Sequence, residues 1–157
     1  MRALVVYYSH SGNTERIASM IQRKTGADLL EVKPVVPYPV SYDEVVAQAK
    51  KEIQAGFVPE IQKTDVDLSK YDMIFVGTPN WWSTMAPPIA AFLKEQDLVG
   101  KTVAVFCTHG GGGLGRVKSD VEKLCPESRV MKCFETYGNG GGRAEQLVDE
   151  WLGKLGA

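Results

Sequence analysis

The chain has 157 residues, with 18 Lys+Arg against 19 Asp+Glu, a formal net charge of -1 and 44% hydrophobic residues. This length suits one domain over residues 1–157, and the balanced charge argues against a disordered tail and against a general nucleic-acid binder. No apolar run nears the roughly 20 residues that span a bilayer and no signal-peptide pattern opens the chain, while Cys107, Cys125 and Cys133 have neither C-x-x-C nor zinc-ligand spacing, so the expectation is a cytoplasmic protein with reduced thiols and no metal or membrane.

In chain order, residues 2–8 are a β-branched and aromatic run that predicts a buried strand, followed by a loop over 9–14 and a helix that starts near Thr14 with Ile17 and Ile21 inward. A second strand is predicted at 29–32, then a surface connection over 33–39. Ser41 to Glu44 fits a capping box, with Val40 and Val45 placed as a hydrophobic staple, and predicts a helix from Tyr42 to Ala55. A second surface connection covers 56–69, and a third strand 73–76. Pro87 and Pro88 suit the first turn of a helix whose apolar face carries Ile89, Phe92 and Leu93. A fourth strand is predicted at 103–107 and a fifth at 130–134. Leu114, Val117, Val121 and Leu124 recur at helical spacing, as do Ala144, Leu147, Val148, Trp151, Leu152 and Leu155. Strands apolar on both faces, alternating with helices, predict a three-layer α/β fold: a five-stranded parallel sheet covered on both sides.

In such a sheet the loops after the strands meet along one edge, where ligands bind. The first, Ser9-His10-Ser11-Gly12-Asn13-Thr14, gathers hydroxyls, an amide and the free N–H groups of a helix start, a cradle suited to a phosphate monoester. A P-loop would need G-K-[ST] and a dinucleotide fold G-x-G-x-x-G; neither follows this strand. The competing explanation is an ordinary capped helix start. The second loop, 78–86, puts Trp81 and Trp82 side by side, so that one can pack on the domain while the other forms a flat wall for a planar ligand, with Met85 as a polarizable contact. Two tryptophans closing the core is the alternative. The third loop, Thr108-His109-Gly110-Gly111-Gly112-Gly113-Leu114, offers backbone N–H groups with little bulk, as the rim of a flat ring, a second anion nest or a mobile loop would use. Arg116 and Arg143 stand where helices begin, as contacts for an anion or as solvated side chains.

Three runs, Tyr7 to Thr14, Tyr71 to Trp82 and Phe106 to Gly111, together with Phe92-Leu93 and Leu98-Val99-Gly100-Lys101, resemble the flavodoxin family, in particular its short members, along almost the whole chain. The resemblance implies sheet order 2-1-3-4-5 and bound FMN. By position it implies that Ser9, His10, Ser11, Gly12, Asn13 and Thr14 hold the phosphate. Pro79, Asn80, Trp81, Trp82, Ser83 and Met85 would border the isoalloxazine ring, and Thr108, His109, Gly110, Gly111 and Gly112 its pyrimidine edge. It implies an electron-transfer flavodoxin working with a redox partner protein, a reductase or an acceptor. The alternative it carries is an NAD(P)H:quinone-type oxidoreductase acting on a small quinone-like substrate, as a monomer or a homodimer. The near-neutral charge departs from the strongly acidic carriers of the family and predicts weak electrostatic steering.

Overall fold

Central strands that bury both faces need helices above and below, and the chain supplies them in alternation. A computed structural model describes residues 2–156. The elements are β1 (Ala3–Tyr7), α1 (Asn13–Thr25), β2 (Asp28–Glu31), α2 (Tyr42–Ala55), β3 (Met73–Trp81), β4 (Thr84–Met85), α3 (Pro87–Glu95), β5 (Thr102–His109), α4 (Val117–Leu124), β6 (Arg129–Val130), β7 (Phe134–Tyr137) and α5 (Ala144–Leu155). The sheet runs β2-β1-β3-β5, with β6 and β7 both continuing on the far side of β5 and every one of these pairings parallel.

Alternation along the strands sorts the core into two layers. Leu4, Val6, Ile74, Val76, Val103 and Val105 face Val45 of α2, Ile89 and Phe92 of α3, and Val117 and Val121 of α4. Val5, Met73, Phe75, Ala104 and Phe106 face Ile17 and Ile21 of α1 and Val148, Trp151 and Leu152 of α5. Gly77 is required in β3 because a Cβ there would meet the Phe106 ring at 2.1 Å.

Two features depart from five plain strands. The predicted fifth strand is split: between the pairs Val103↔Val130 and Phe106↔Phe134, β5 takes three steps (103 to 106) and the edge takes four (130 to 134). That one extra residue is a bulge, and Lys132 within it turns its carbonyl to accept the Trp151 indole N–H at 2.8 Å. The predicted second loop is instead a hairpin, because β3 runs on to Trp81 and β4 returns antiparallel with Trp81 opposite Thr84.

The capping box and staple before α2 do not form. Ser41 is the N-cap, but only its carbonyl engages the helix, accepting the Val45 N–H at 3.0 Å, and Val40 is 95% exposed. The entry angle is fixed upstream, where His10 Nε2 donates to the Pro39 carbonyl at 2.8 Å. The two surface connections hold each other: Val35 N–H donates to Glu60 O and Gln62 N–H to Lys33 O around a Pro34–Ile61 bridge. No helix among the described residues is long and apolar enough to cross a membrane.

Candidate functional site

The segments after β1, β3 and β5 meet at the carboxyl edge of the sheet, around a cleft of about 520 Å³, within the range of small-molecule sites. In the first segment Gly12, at φ 95°, turns the chain into α1. Ser9 Oγ accepts the N–H groups of Gly12 and Glu15 at 3.1 and 3.2 Å, so this hydroxyl is engaged in the loop itself. The N–H groups of Ser11, Asn13 and Thr14 take no acceptor among the described residues. They sit at the positive end of α1 beside a cleft lined by no Lys, Arg, Asp or Glu, an arrangement that draws an anion by backbone donors alone.

The three segments are tied to one another. Thr14 and Thr108, both buried, share a hydroxyl hydrogen bond of 2.8 Å between α1 and β5. Asn80 Nδ2 donates to Gly113 O at 2.7 Å, joining the hairpin to the glycine run. Arg16 of α1 donates to the carbonyls of Asn139 and Gly141, closing the turn that follows β7.

The adjacent tryptophans part ways. Trp81 lies edge-to-face with Tyr8, Tyr38 and His10, at ring-centroid distances of 5.6, 5.1 and 6.0 Å. Trp82 folds over α2, donating its indole N–H to Val46 O at 3.0 Å, with Lys50 Nζ above its ring. Burial first, and then the Glu52 and Glu31 charges, push the Tyr8 phenol well above its ordinary value. Burial and its hydrogen bond to Glu52 do the same for Tyr38. Both phenols therefore stay protonated, an uncharged support for the Trp81 ring. Burial, with Glu135 and Cys133 adding to it, pushes the Cys107 thiol up to about 12, which makes it a packed side chain and no nucleophile.

Of the residues singled out in the sequence, His10, Ser11, Asn13, Thr14, Pro79, Asn80, Trp81, Trp82, Thr108, His109 and Gly110 line this one cleft. Ser9, Gly12, Ser83, Gly111 and Gly112 belong to the same segments without lining it, and the Met85 side chain is buried in the core between sheet and helices. Arg116 reaches toward Asp120 at 3.8 Å, outside the cleft. Tyr42, Val45, Val46 and Ala49 of α2, with Tyr137 at the end of β7 and Gly138 after it, also line it. The α2 residues gave no sequence signal beyond a helix face, whereas Gly138 opens a glycine-rich stretch with Gly140, Gly141 and Gly142. Among the described residues no group of His, Cys, Asp and Glu could hold a metal ion.

The family model described as "Flavodoxin" matches residues 2–155. Flavodoxin 1 of Escherichia coli K12 is 30% identical over 129 residues, covering 77% of this chain and 53% of that protein, so this chain spans about half the length of the flavodoxin relatives it matches. An NAD(P)H dehydrogenase (quinone) of Gluconacetobacter diazotrophicus is 33% identical over 160 residues, covering 94% of this chain and 77% of that protein. The crystal structure of a flavoprotein in complex with FMN from Lactobacillus acidophilus superposes with a TM-score of 0.78 at 27% identity, covering 96% of this chain and 97% of that one.

Proposed function

The chain belongs to the flavodoxin family, and on that premise we propose that it binds FMN in the cleft at the carboxyl edge and works as an electron-transfer flavodoxin. The observation that carries the reading is the set of unengaged N–H groups at Ser11, Asn13 and Thr14, opening into an aromatic cleft that no Lys or Arg lines. Such a donor set suits a phosphate monoester that stays bound. It also lies at the β1/β3 switch point, the known place of FMN in sheets of this order.

In this reading the α1 start holds the phosphate, Trp81 faces the ring system, and the N–H groups of Gly110 and its neighbours meet the polar edge. Bound FMN supplies the redox chemistry, passing electrons between a donor and an acceptor. The chain's own residues orient it: Tyr8 and Tyr38 hold the Trp81 ring by edge contacts. Electrons would come from a reductase and leave to an acceptor protein, in the cytoplasm, where the three free thiols stay reduced.

A second reading, an NAD(P)H:quinone-type oxidoreductase, is favoured by the quinone dehydrogenase relative, which matches over more of its own length than the flavodoxins do. An anaerobic spectral titration of FMN-loaded protein with NADH, NADPH and then dithionite separates the two. Bleaching by dithionite alone supports the carrier, and rapid bleaching by a nicotinamide supports the reductase. Failure of FMN to bind removes both.

A further inference from the structure

One carboxylate stands directly behind the cleft without lining it. Glu135 of β7 lies opposite Cys107 of β5, and its Oε2 is hydrogen-bonded to His109 Nε2. The other ring nitrogen, Nδ1, accepts the Gly111 N–H at 3.0 Å. An ionised carboxylate can only accept, so Nε2 carries the ring proton; the Gly111 amide in turn needs the Nδ1 lone pair. Both bonds demand the same neutral tautomer. The His109 side chain is 10% exposed and that of Glu135 48%, so the imidazole is held inside while its partner reaches solvent.

That hold matters because Gly110 to Gly113 are four successive glycines with the widest backbone freedom a chain can have. The run is pinned at two places: at its far end by Asn80 on Gly113, and near its start by His109 on Gly111, which sits at φ 126°.

We propose that Glu135 is a positioning residue for the glycine edge of the cleft, keeping the His109 proton on Nε2 so that Nδ1 anchors Gly111, and that a second proton taken up at Nδ1 releases this edge. The proposal rests on the FMN reading only for its consequence, a cleft whose polar edge is set by the state of one imidazole. Protonation turns Nδ1 from acceptor into donor, facing an N–H, and the bond is lost. The ionisable groups against the ring are Glu135 and Tyr137, whose ring lies 6.2 Å away edge-on; Cys107 on β5 also feels the Glu135 charge, and the glycine run carries no ionisable side chain.

Long-range ¹H–¹⁵N correlations of the imidazoles in ligand-free, ¹⁵N-labelled protein test this, with His10 as internal control. In the wild type His109 is expected as the Nε2–H form, and on acid titration the Gly111 amide shift follows the ring with the same midpoint. Glu135→Ala should give mixed tautomers, about tenfold faster exchange of the Gly111 amide and about tenfold weaker FMN binding at neutral pH. Glu135→Gln, which keeps an acceptor without the charge, should restore the Nε2–H tautomer and the slow exchange of the Gly111 amide. An Nδ1–H ring in the wild type, or a Gly111 amide indifferent to Glu135→Ala, would overturn the proposal. Should Glu135→Ala fail to fold, the ring signals of Glu135→Gln decide it, an Nδ1–H ring or mixed tautomers there overturning it. The ring and amide signals are read without FMN, so failure of FMN to bind would sink the functional reading and leave the proposal to be judged on those signals.

Discussion

Trp82 and Ser83 both adopt left-handed backbone, at φ 55° and 68°, as the two central residues of the hairpin between Trp81 and Thr84. A two-residue hairpin turn of this kind prefers Asn-Gly, because a side chain at positive φ costs roughly 1–2 kcal/mol per residue. Contacts outside the turn hold it. The Trp82 indole is bonded to α2, and Ser83 O accepts the Arg116 N–H at 2.6 Å. That approach needs Gly115, where a Cβ would lie 2.8 Å from Ser83 O. Ser83→Gly should therefore stabilise the protein by about 0.5–1 kcal/mol in urea denaturation, the relieved strain being offset in part by the extra freedom of an unfolded glycine. A loss of stability instead would show that the serine side chain contributes more than its backbone costs.

At the scale of elements, the weld between α1 and β5 is the hydroxyl pair of Thr14 and Thr108. Thr14→Val or Thr108→Val alone leaves the other hydroxyl buried without its partner and should cost about 1–3 kcal/mol. Replacing both removes donor and acceptor together, so the double variant should fall short of the sum of the singles by about 1 kcal/mol or more in a urea double-mutant cycle. Additive losses would mean that the pair is not coupled. Neither this weld nor the hairpin could be read from sequence. Thr14 and Thr108 stand 94 positions apart, and Trp82-Ser83 lacks the glycine or asparagine that marks such a turn. The split of the edge strand is a count of steps against β5, which exists only once the two are paired. α4 begins at Val117, later than its periodicity suggests, because Gly115 at φ 54° and the N-cap Arg116 break the helix after Leu114. What was legible follows from local physics: buried central strands from their apolar runs, α3 from its leading prolines, and α5 from its repeat at 144–155. The cleft was legible to the extent that it is built from loops at strand ends. The wall from α2 was not, because nothing in residues 42–49 says which neighbour the helix leans on.

For the molecule as a whole, the two-layer core encloses several acidic groups in their neutral form, and this fixes how the fold responds to alkali. Burial, then the Glu135 charge, then Cys133 push the Cys107 thiol from 9.0 to about 12, and burial pushes Cys133 to about 11. Burial, then Glu31 and Glu15, push Tyr7 from 10.0 to about 12. A raised folded-state pKa means that, above the ordinary value, the unfolded chain sheds a proton that the folded chain retains. The unfolded state then binds fewer protons, and stability falls as pH rises. The contribution is complete below pH 9.0 and is lost progressively toward about 12, with Cys107 adding a slope of up to about 1.4 kcal/mol per pH unit in that window. Cys133 is only partly buried, which makes its share smaller. A net charge of -1 keeps general self-repulsion small near neutrality, so the urea midpoint should be flat from about pH 7 to 9 and then decline. Cys107→Ala should begin lower, for the lost packing, and decline less steeply. A wild-type slope retained in Cys107→Ala would locate the alkaline sensitivity in the buried tyrosines instead of this thiol.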